Sequence, residues 1–162
     1  MAFDIKVNKK NIKKILIVCT GNSCRSVMAE GCLKKRLKEE GLDVAVSSAG
    51  ISPFTGLKPS QEAVELMKEI GVDVSTHESK AITKDILNKA DMILVMEPMH
   101  KDVILGIALE VKDKIFYLRQ FAKENSLDKF IPDPIGKPID YYMLTFKAIE
   151  ESVEGFLKWL KN

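Results

Sequence analysis

Short apolar runs alternate with amphipathic stretches along most of the chain. The runs predict four strands, at residues 14–19, 44–46, 91–96 and 114–118. The stretches between them predict helices at residues 26–40, 60–70, 83–89 and 98–109, and apolar residues spaced by three and four predict a long last helix at residues 139–160. Strands that alternate with helices pair in parallel. We therefore expect an α/β three-layer sandwich, with a four-stranded parallel twisted sheet flanked by helices.

Length and composition restrict the kind of protein. At 162 residues the chain fits one domain over residues 1–162, in which we expect residues 1–13 to be a loosely ordered extension. The charge balance of 25 − 23 = +2 argues against nucleic acid or a membrane surface as partner. No signal peptide or apolar span is visible, and the three cysteines do not form a secreted disulfide pattern. These features predict a cytoplasmic protein with free thiols.

The segment after the first strand predicts an anion site. A Gly21-Asn22 pair follows the strand end at Cys19, and both residues tolerate left-handed backbone conformations. Such a turn folds its amide groups inward, and the next helix adds positive potential at its N-terminus. We therefore expect a phosphate-binding loop after strand 1.

The same loop carries a candidate nucleophile. Arg25 follows Cys19 with five residues between them, so a curled loop places the guanidinium opposite the sulfur, where it holds two phosphate oxygens. The helix N-terminus and the arginine favour the thiolate over the thiol. The Ser26 hydroxyl is placed to donate a hydrogen bond to that sulfur and to cap the helix.

Residues 18–26 resemble the phosphate-binding loop of the low molecular weight protein tyrosine phosphatase family. That family includes bacterial protein-arginine phosphatases and thioredoxin-linked arsenate reductases. The resemblance covers nearly the whole chain and includes the helix opening at residues 28–30, the segment 48–50 and the Pro-Asp-Pro segment 132–134. It implies that the loop binds the substrate phosphate through Thr20, Gly21, Asn22, Ser23, Cys24 and Ser26.

The resemblance also implies a mechanism and further residues. Cys19 attacks phosphorus to form a phosphocysteine, Arg25 holds the phosphate, and Asp133, restricted by Pro134, is the general acid. Ser48 and His77 are expected to support Asn22. No metal or cofactor is implied. His100 has no evident function in the sequence.

Two remote alternatives remain. The loop also resembles that of the arsenate reductases, but these relay a disulfide through two more cysteines, and residues 33–162 contain no cysteine. A structural zinc site built on Cys19 and Cys24 would need a further pair of ligands, and the sequence offers no second Cys or His pair.

The leaving group is the open question. Tyrosine phosphatases of this family usually have aromatic residues after the Asp-Pro pair, where this chain has Ile135 and Gly136. This short segment resembles the glycine-rich stretch that the arginine phosphatases have there. The arginine phosphatases have a threonine at the loop position that matches Ser23, and Ser23 has the same hydroxyl group. Phe54, in the loop after the second strand, is a candidate for one aromatic wall of the substrate site. We expect a phosphorylated protein as substrate, with phosphotyrosine as the leading hypothesis and phosphoarginine as the alternative. Phosphate or other oxyanions are expected as product or inhibitor.

Overall fold

The computed structural model describes residues 5–123 and 128–162, and within them the predicted sheet is present. Four parallel strands lie in the order β2-β1-β3-β4. They are β1 (Lys14–Cys19), β2 (Ala45–Gly50), β3 (Met92–Val95) and β4 (Ile115–Tyr117). The helices are α1 (Arg25–Glu39), α2 (Gln61–Glu69), α3 (Lys84–Lys89), α4 (Pro98–Ile107) and α5 (Ile139–Lys161), with short 3-10 helices at Lys9–Asn11, Leu109–Lys114 and Leu118–Phe121. The predicted α/β architecture is confirmed.

Helices cover both faces of the sheet, as the alternation of side chains along β1 requires. Ile15 and Ile17 pack into a core with α1, α2 and α5. Leu16 and Val18 point the other way, into a second core with α3 and α4. The two cores and the sheet between them are the three layers of the sandwich.

Two segments differ from the sequence prediction. β2 continues four residues beyond the predicted end at Val46, because the polar Ser48 is fully buried under the phosphate loop, where hydrophobicity alone gives no strand signal. Residues 1–13 were expected to be loosely ordered, but Ile12 is buried, and Ile5 and Val7 pack against the core. Residues 1–4 lie outside the described residues.

Three segments distant in sequence meet at the carboxyl edge of the sheet. β1 ends at Cys19, opposite Gly50 at the end of β2. A Cβ atom on Gly50 would lie 2.6 Å from the Thr20 carbonyl oxygen, so glycine lets the loop after β1 pass close to β2. On the other side, the backbone N–H of Ile131 donates to the carbonyl of Met96, just after β3. This edge is where ligands bind in open α/β sheets.

Candidate active site

The loop between β1 and α1 forms a cup of backbone amides. Asn22 has a φ of 53°, in the left-handed region, whereas Gly21, which tolerates the same conformation, does not adopt it. Among the described residues, no acceptor is bonded to the backbone N–H groups of residues 21–24. The first turn of α1 adds N–H groups without partners inside the helix. Such an array, at a helix N-terminus, favours a bound oxyanion.

A network around the fully buried Asn22 side chain holds this loop shape. Its Nδ2 group donates to Ser26 Oγ at 2.8 Å and to Ser48 Oγ at 2.9 Å. Its Oδ1 atom accepts from the backbone N–H of Lys80 at 3.1 Å. His77 Nε2 lies 3.0 Å from the Asn22 carbonyl and 3.2 Å from Oδ1. The structure thus brings together the three residues that the sequence analysis grouped as a supporting network.

Cys19 lies at the base of the cup. Cys19 is only 3% exposed, and its Sγ atom lies 2.9 Å from the hydroxyl oxygen of Ser26, the predicted hydrogen-bond partner. Because the Ser26 oxygen already accepts from Asn22, its own hydrogen is free to point at the sulfur. The Ser26 hydroxyl is therefore placed to donate a hydrogen bond to the Cys19 sulfur.

The other two cysteines have a different environment. Burial raises the pKa of Cys24 to about 12 and that of Cys32 to about 12. Cys32 lies in the core between α1 and α2, with its Sγ 4.0 Å from the Met67 sulfur. Both stay protonated at neutral pH, so neither competes with Cys19 as a nucleophile.

Arg25 is almost fully buried and is held from several sides. One terminal nitrogen, Nη1, donates to the Glu97 carboxylate and to the Ile131 carbonyl at 2.8 Å. The other, Nη2, donates to Thr20 Oγ1 at 3.3 Å and lies 3.7 Å from the Asp133 carboxylate. A guanidinium fixed in this way keeps its plane oriented without a ligand.

Asp133 reaches the mouth of the cup from the loop before α5. Its side chain is 39% exposed, and its Oδ1 atom accepts from the backbone N–H of Ile135 at 3.0 Å. Pro134 is buried and anchors the loop behind it. The loop therefore presents the carboxyl group to solvent within salt-bridge distance of the arginine.

The rim residues are less closely tied to the cup. Ser23 is half-buried, and its carbonyl accepts from the backbone N–H of Ser60 at the start of α2. Ile135 is about half exposed, and Phe54 is two-thirds exposed in the loop after β2. Phe130, which the sequence analysis did not consider, packs edge-on against Tyr117 beside the Arg25-binding segment. The substrate-contact roles of Phe54 and Ile135 stay predictions.

Sequence reasoning missed two residues that the structure places behind Arg25. Glu97 is the N-cap residue of α4 and His100 lies in its first turn, and this helix follows β3 and so begins at the same edge of the sheet. Glu97 binds Arg25, and the fully buried His100 lies 2.9 Å from Thr20 Oγ1. The available signal was the position of both residues just after a strand of a parallel sheet.

Neither a metal cluster nor a membrane segment is found in residues 5–123 and 128–162. No group of three or more metal-ligating side chains comes together there. No helix in those ranges is both long enough and apolar enough to cross a bilayer.

Comparison with known proteins decides the family. The model of the low molecular weight phosphotyrosine protein phosphatase family matches residues 14–162. The chain belongs to this family. It is therefore a member of a cysteine-dependent phosphatase family, as its loop predicted.

Relatives in this phosphatase family carry two kinds of name. A protein-arginine-phosphatase of Bacillus subtilis is 36% identical over 91% of this chain and 97% of its own length. The low molecular weight protein tyrosine phosphatase of T. tengcongensis is 36% identical, with a TM-score of 0.81 over 90% of this chain and 98% of that one. Wzb of Vibrio vulnificus, solved in complex with benzylphosphonate, is 32% identical, with a TM-score of 0.80 over 93% of this chain and 99% of that one.

Proposed function

We propose that this phosphatase hydrolyses phosphotyrosine in protein substrates through a phosphocysteine at Cys19. The observation that carries the proposal is the meeting of three groups from separate segments. The sulfur lies at the base of the amide cup, Arg25 is buried beside it, and Asp133 stands within 3.7 Å of Arg25 at the mouth. Nucleophile, oxyanion clamp and proton donor are the parts that phosphate-ester hydrolysis needs.

In the first step the Cys19 thiolate attacks phosphorus and the bond to the tyrosine oxygen breaks. Asp133, in its protonated form, gives its proton to that oxygen, and tyrosine leaves neutral. The loop N–H groups and Arg25 bind the three remaining phosphate oxygens, over which the negative charge is spread in the transition state. The Ser26 hydroxyl, 2.9 Å from the sulfur, stabilises the thiolate both before attack and when it is released.

In the second step water attacks the phosphocysteine on the face that the tyrosine has left. Asp133 now accepts a proton from the water, the sulfur-phosphorus bond breaks, and the thiolate returns with phosphate as product. One residue serves as acid and then as base, which fits its position at the solvent side of the cup. Because the product occupies the same amide cup, inorganic phosphate is expected to inhibit competitively.

Phosphoarginine is the second candidate leaving group, and two observations favour it. Ser23 presents a hydroxyl near the rim, and Ile135 with Gly136 replaces the aromatic pair expected for a phenyl-binding wall. The Bacillus subtilis relative also carries that activity in its name. Phosphotyrosine remains the leading candidate because the family model and most of the relatives are named for it.

The deciding experiment compares kcat/KM on matched peptides that carry either phosphotyrosine or phosphoarginine. Cys19→Ser is the control, since it must abolish turnover of both. Ser23→Ile removes the hydroxyl and adds apolar surface, so we expect the ratio of the two kcat/KM values to move toward phosphotyrosine. A wild-type ratio that favours phosphoarginine would exchange the two candidates. Full activity in Cys19→Ser would refute the mechanism itself.

The setting in the cell is part of the same proposal. Three unpaired cysteines, one of them the nucleophile, suit a reducing compartment, so we propose a cytoplasmic enzyme acting on phosphorylated proteins.

A further inference from the structure

The buried His100 joins the start of α4 to the phosphate loop. Its Nε2 atom lies 2.9 Å from Thr20 Oγ1, and its Nδ1 atom accepts a hydrogen bond of 3.1 Å from the backbone N–H of Glu97. The side chain is fully buried, so both ring nitrogens depend on these partners. The ring nitrogen that carries the hydrogen therefore decides whether His100 donates to the phosphate loop or accepts from it.

The position of the ring hydrogen follows from the contacts. A backbone N–H can only donate, so Nδ1 must present its lone pair to Glu97, and in the neutral ring the hydrogen is therefore on Nε2. Nε2–H then donates to the Thr20 oxygen. Burial, with a smaller effect of the nearby Arg25, lowers the pKa of His100 to about 4, which agrees with a neutral ring.

The Thr20 oxygen receives a second hydrogen bond, from Arg25 Nη2 at 3.3 Å. The hydroxyl is thus turned so that its lone pairs face His100 and Arg25. The opposite terminal nitrogen of Arg25 is held by the Glu97 carboxylate. The start of α4 therefore holds the guanidinium twice, directly through the N-cap residue Glu97 and indirectly through His100 and Thr20.

We propose that His100 is a positioning residue for the phosphate clamp: its Nε2–H group orients the Thr20 hydroxyl so that the oxygen accepts from Arg25 and fixes the guanidinium plane toward the bound oxyanion. This inference rests on the proposed function, in which Arg25 holds the phosphate. It gives a role to a residue whose sequence context suggested none.

A rival explanation is that His100 only caps α4, through its bond to the Glu97 N–H group. Two substitutions separate these roles. His100→Asn keeps an acceptor near the place of Nδ1 but has no donor near the place of Nε2. His100→Gln keeps an amide donor near the place of Nε2 but lacks the acceptor near Nδ1. The positioning role is impaired by the first change, and the capping role by the second.

The test measures two quantities on each variant: the Kd of inorganic phosphate by calorimetry and kcat/KM on an aryl phosphate. We expect His100→Asn to weaken phosphate binding and kcat/KM by about tenfold, the effect of one well-placed hydrogen bond. His100→Gln should remain within about threefold of wild type, because a donor to Thr20 is restored. The reverse order of the two variants would overturn the proposal.

A Thr20→Val variant tests whether His100 acts through Thr20. Valine has nearly the same shape but no hydroxyl, so it should reduce phosphate affinity as His100→Asn does. Adding His100→Asn to Thr20→Val should then change little, because the shared path is already broken. Effects that multiply in the double variant would contradict a path through Thr20. Urea unfolding of each variant checks that loss of fold does not cause the loss of affinity.

The phosphate titration keeps this inference separate from the proposed function. If wild type binds phosphate but hydrolyses no ester, the proposed function fails and the variants' Kd values still decide the inference. If wild type is active and His100→Asn stays within twofold in both quantities, the inference alone is refuted. If wild type binds no phosphate, both are refuted.

Discussion

Asn22→Ala is the substitution that should reveal most about how the loop is held. Asn22 is fully buried, its φ is 53°, and its side chain is within hydrogen-bonding distance of Ser26, Ser48, Lys80 and His77. Alanine removes all of these bonds and keeps a Cβ atom in the left-handed region. We expect both the free energy of unfolding and the activity to fall sharply.

The size of the effect follows from the lost hydrogen bonds. A net hydrogen bond contributes about 1 kcal/mol to stability, so the lost bonds cost roughly 3 kcal/mol once some partners find water. Holding a Cβ atom in the left-handed conformation costs about 1 kcal/mol more than holding glycine there, but asparagine and alanine share this cost, so it does not add to the difference between them. The expected loss is therefore about 3 kcal/mol, a large part of the ~5–15 kcal/mol that stabilises a typical domain.

Urea unfolding measures this loss, with the midpoint and slope compared between variants. Asn22→Gly is the matched control, because it removes the same side chain and relieves the backbone cost, so it should be about 1 kcal/mol more stable than Asn22→Ala. Both variants should lose activity by at least about a hundredfold, since the amide cup is no longer fixed. Ser48→Ala, which removes one bond to Asn22, should cost only about 1 kcal/mol.

An alanine variant as stable and as active as wild type would show that the Asn22 side chain does not hold the loop. Equal stability of the alanine and glycine variants would show that the left-handed backbone carries no cost at this position.

The remaining predictions concern the clamp, the acid, the sheet edge and pH. Arg25→Lys keeps the charge but loses the two-pronged geometry, so kcat/KM should fall by about a hundredfold or more, and equal activity would contradict the clamp. Asp133→Asn should slow esters with poor leaving groups far more than those with good ones; an equal loss would argue against acid catalysis. Gly50→Ala places a Cβ atom 2.6 Å from the Thr20 carbonyl oxygen, so both the urea midpoint and the activity should fall, and an unchanged urea midpoint would count against the close approach. The pKa of His100 is lowered from 6.5 to about 4, so between these pH values the unfolded chain binds more protons than the folded one. The free energy of unfolding should therefore fall as the pH falls through that window. His100→Asn should flatten that part of the stability profile, and an unchanged slope in this variant would contradict the prediction.

Much of this site could be predicted from the sequence because its central part is local. The distance from Cys19 to Arg25 along the chain is short, and the order strand, loop, helix determines where the two side chains point. Local spacing also placed Ser26 against the sulfur, which the structure confirms at 2.9 Å. The prediction that Ser26 also caps the helix was wrong, because α1 begins one residue earlier and its N-cap residue is Cys24.

The parts that could not be predicted depend on long-range packing. Glu97 and Ile131 bind Arg25 from segments 72 and 106 residues away, and no short motif joins them. The support that Ser48 gives to Asn22 was expected only from the family resemblance. The continuation of β2 through Ser48 was not predicted, because this residue is buried through a hydrogen bond rather than through hydrophobicity. These contacts depend on the strand order, in which β2 and β3 lie on either side of β1. The sequence pattern predicts the strands but not their order.

The most direct test of the account is rapid quench of the Asp133→Asn variant with an aryl phosphate that has a good leaving group. Without its base this variant should hydrolyse the intermediate slowly, so the phenol is released in a burst of about one equivalent. Mass spectrometry of the quenched protein should then find the phosphoryl group on Cys19. A burst of phenol with the phosphoryl group on another residue, or with Cys19 unmodified, would contradict the central claim.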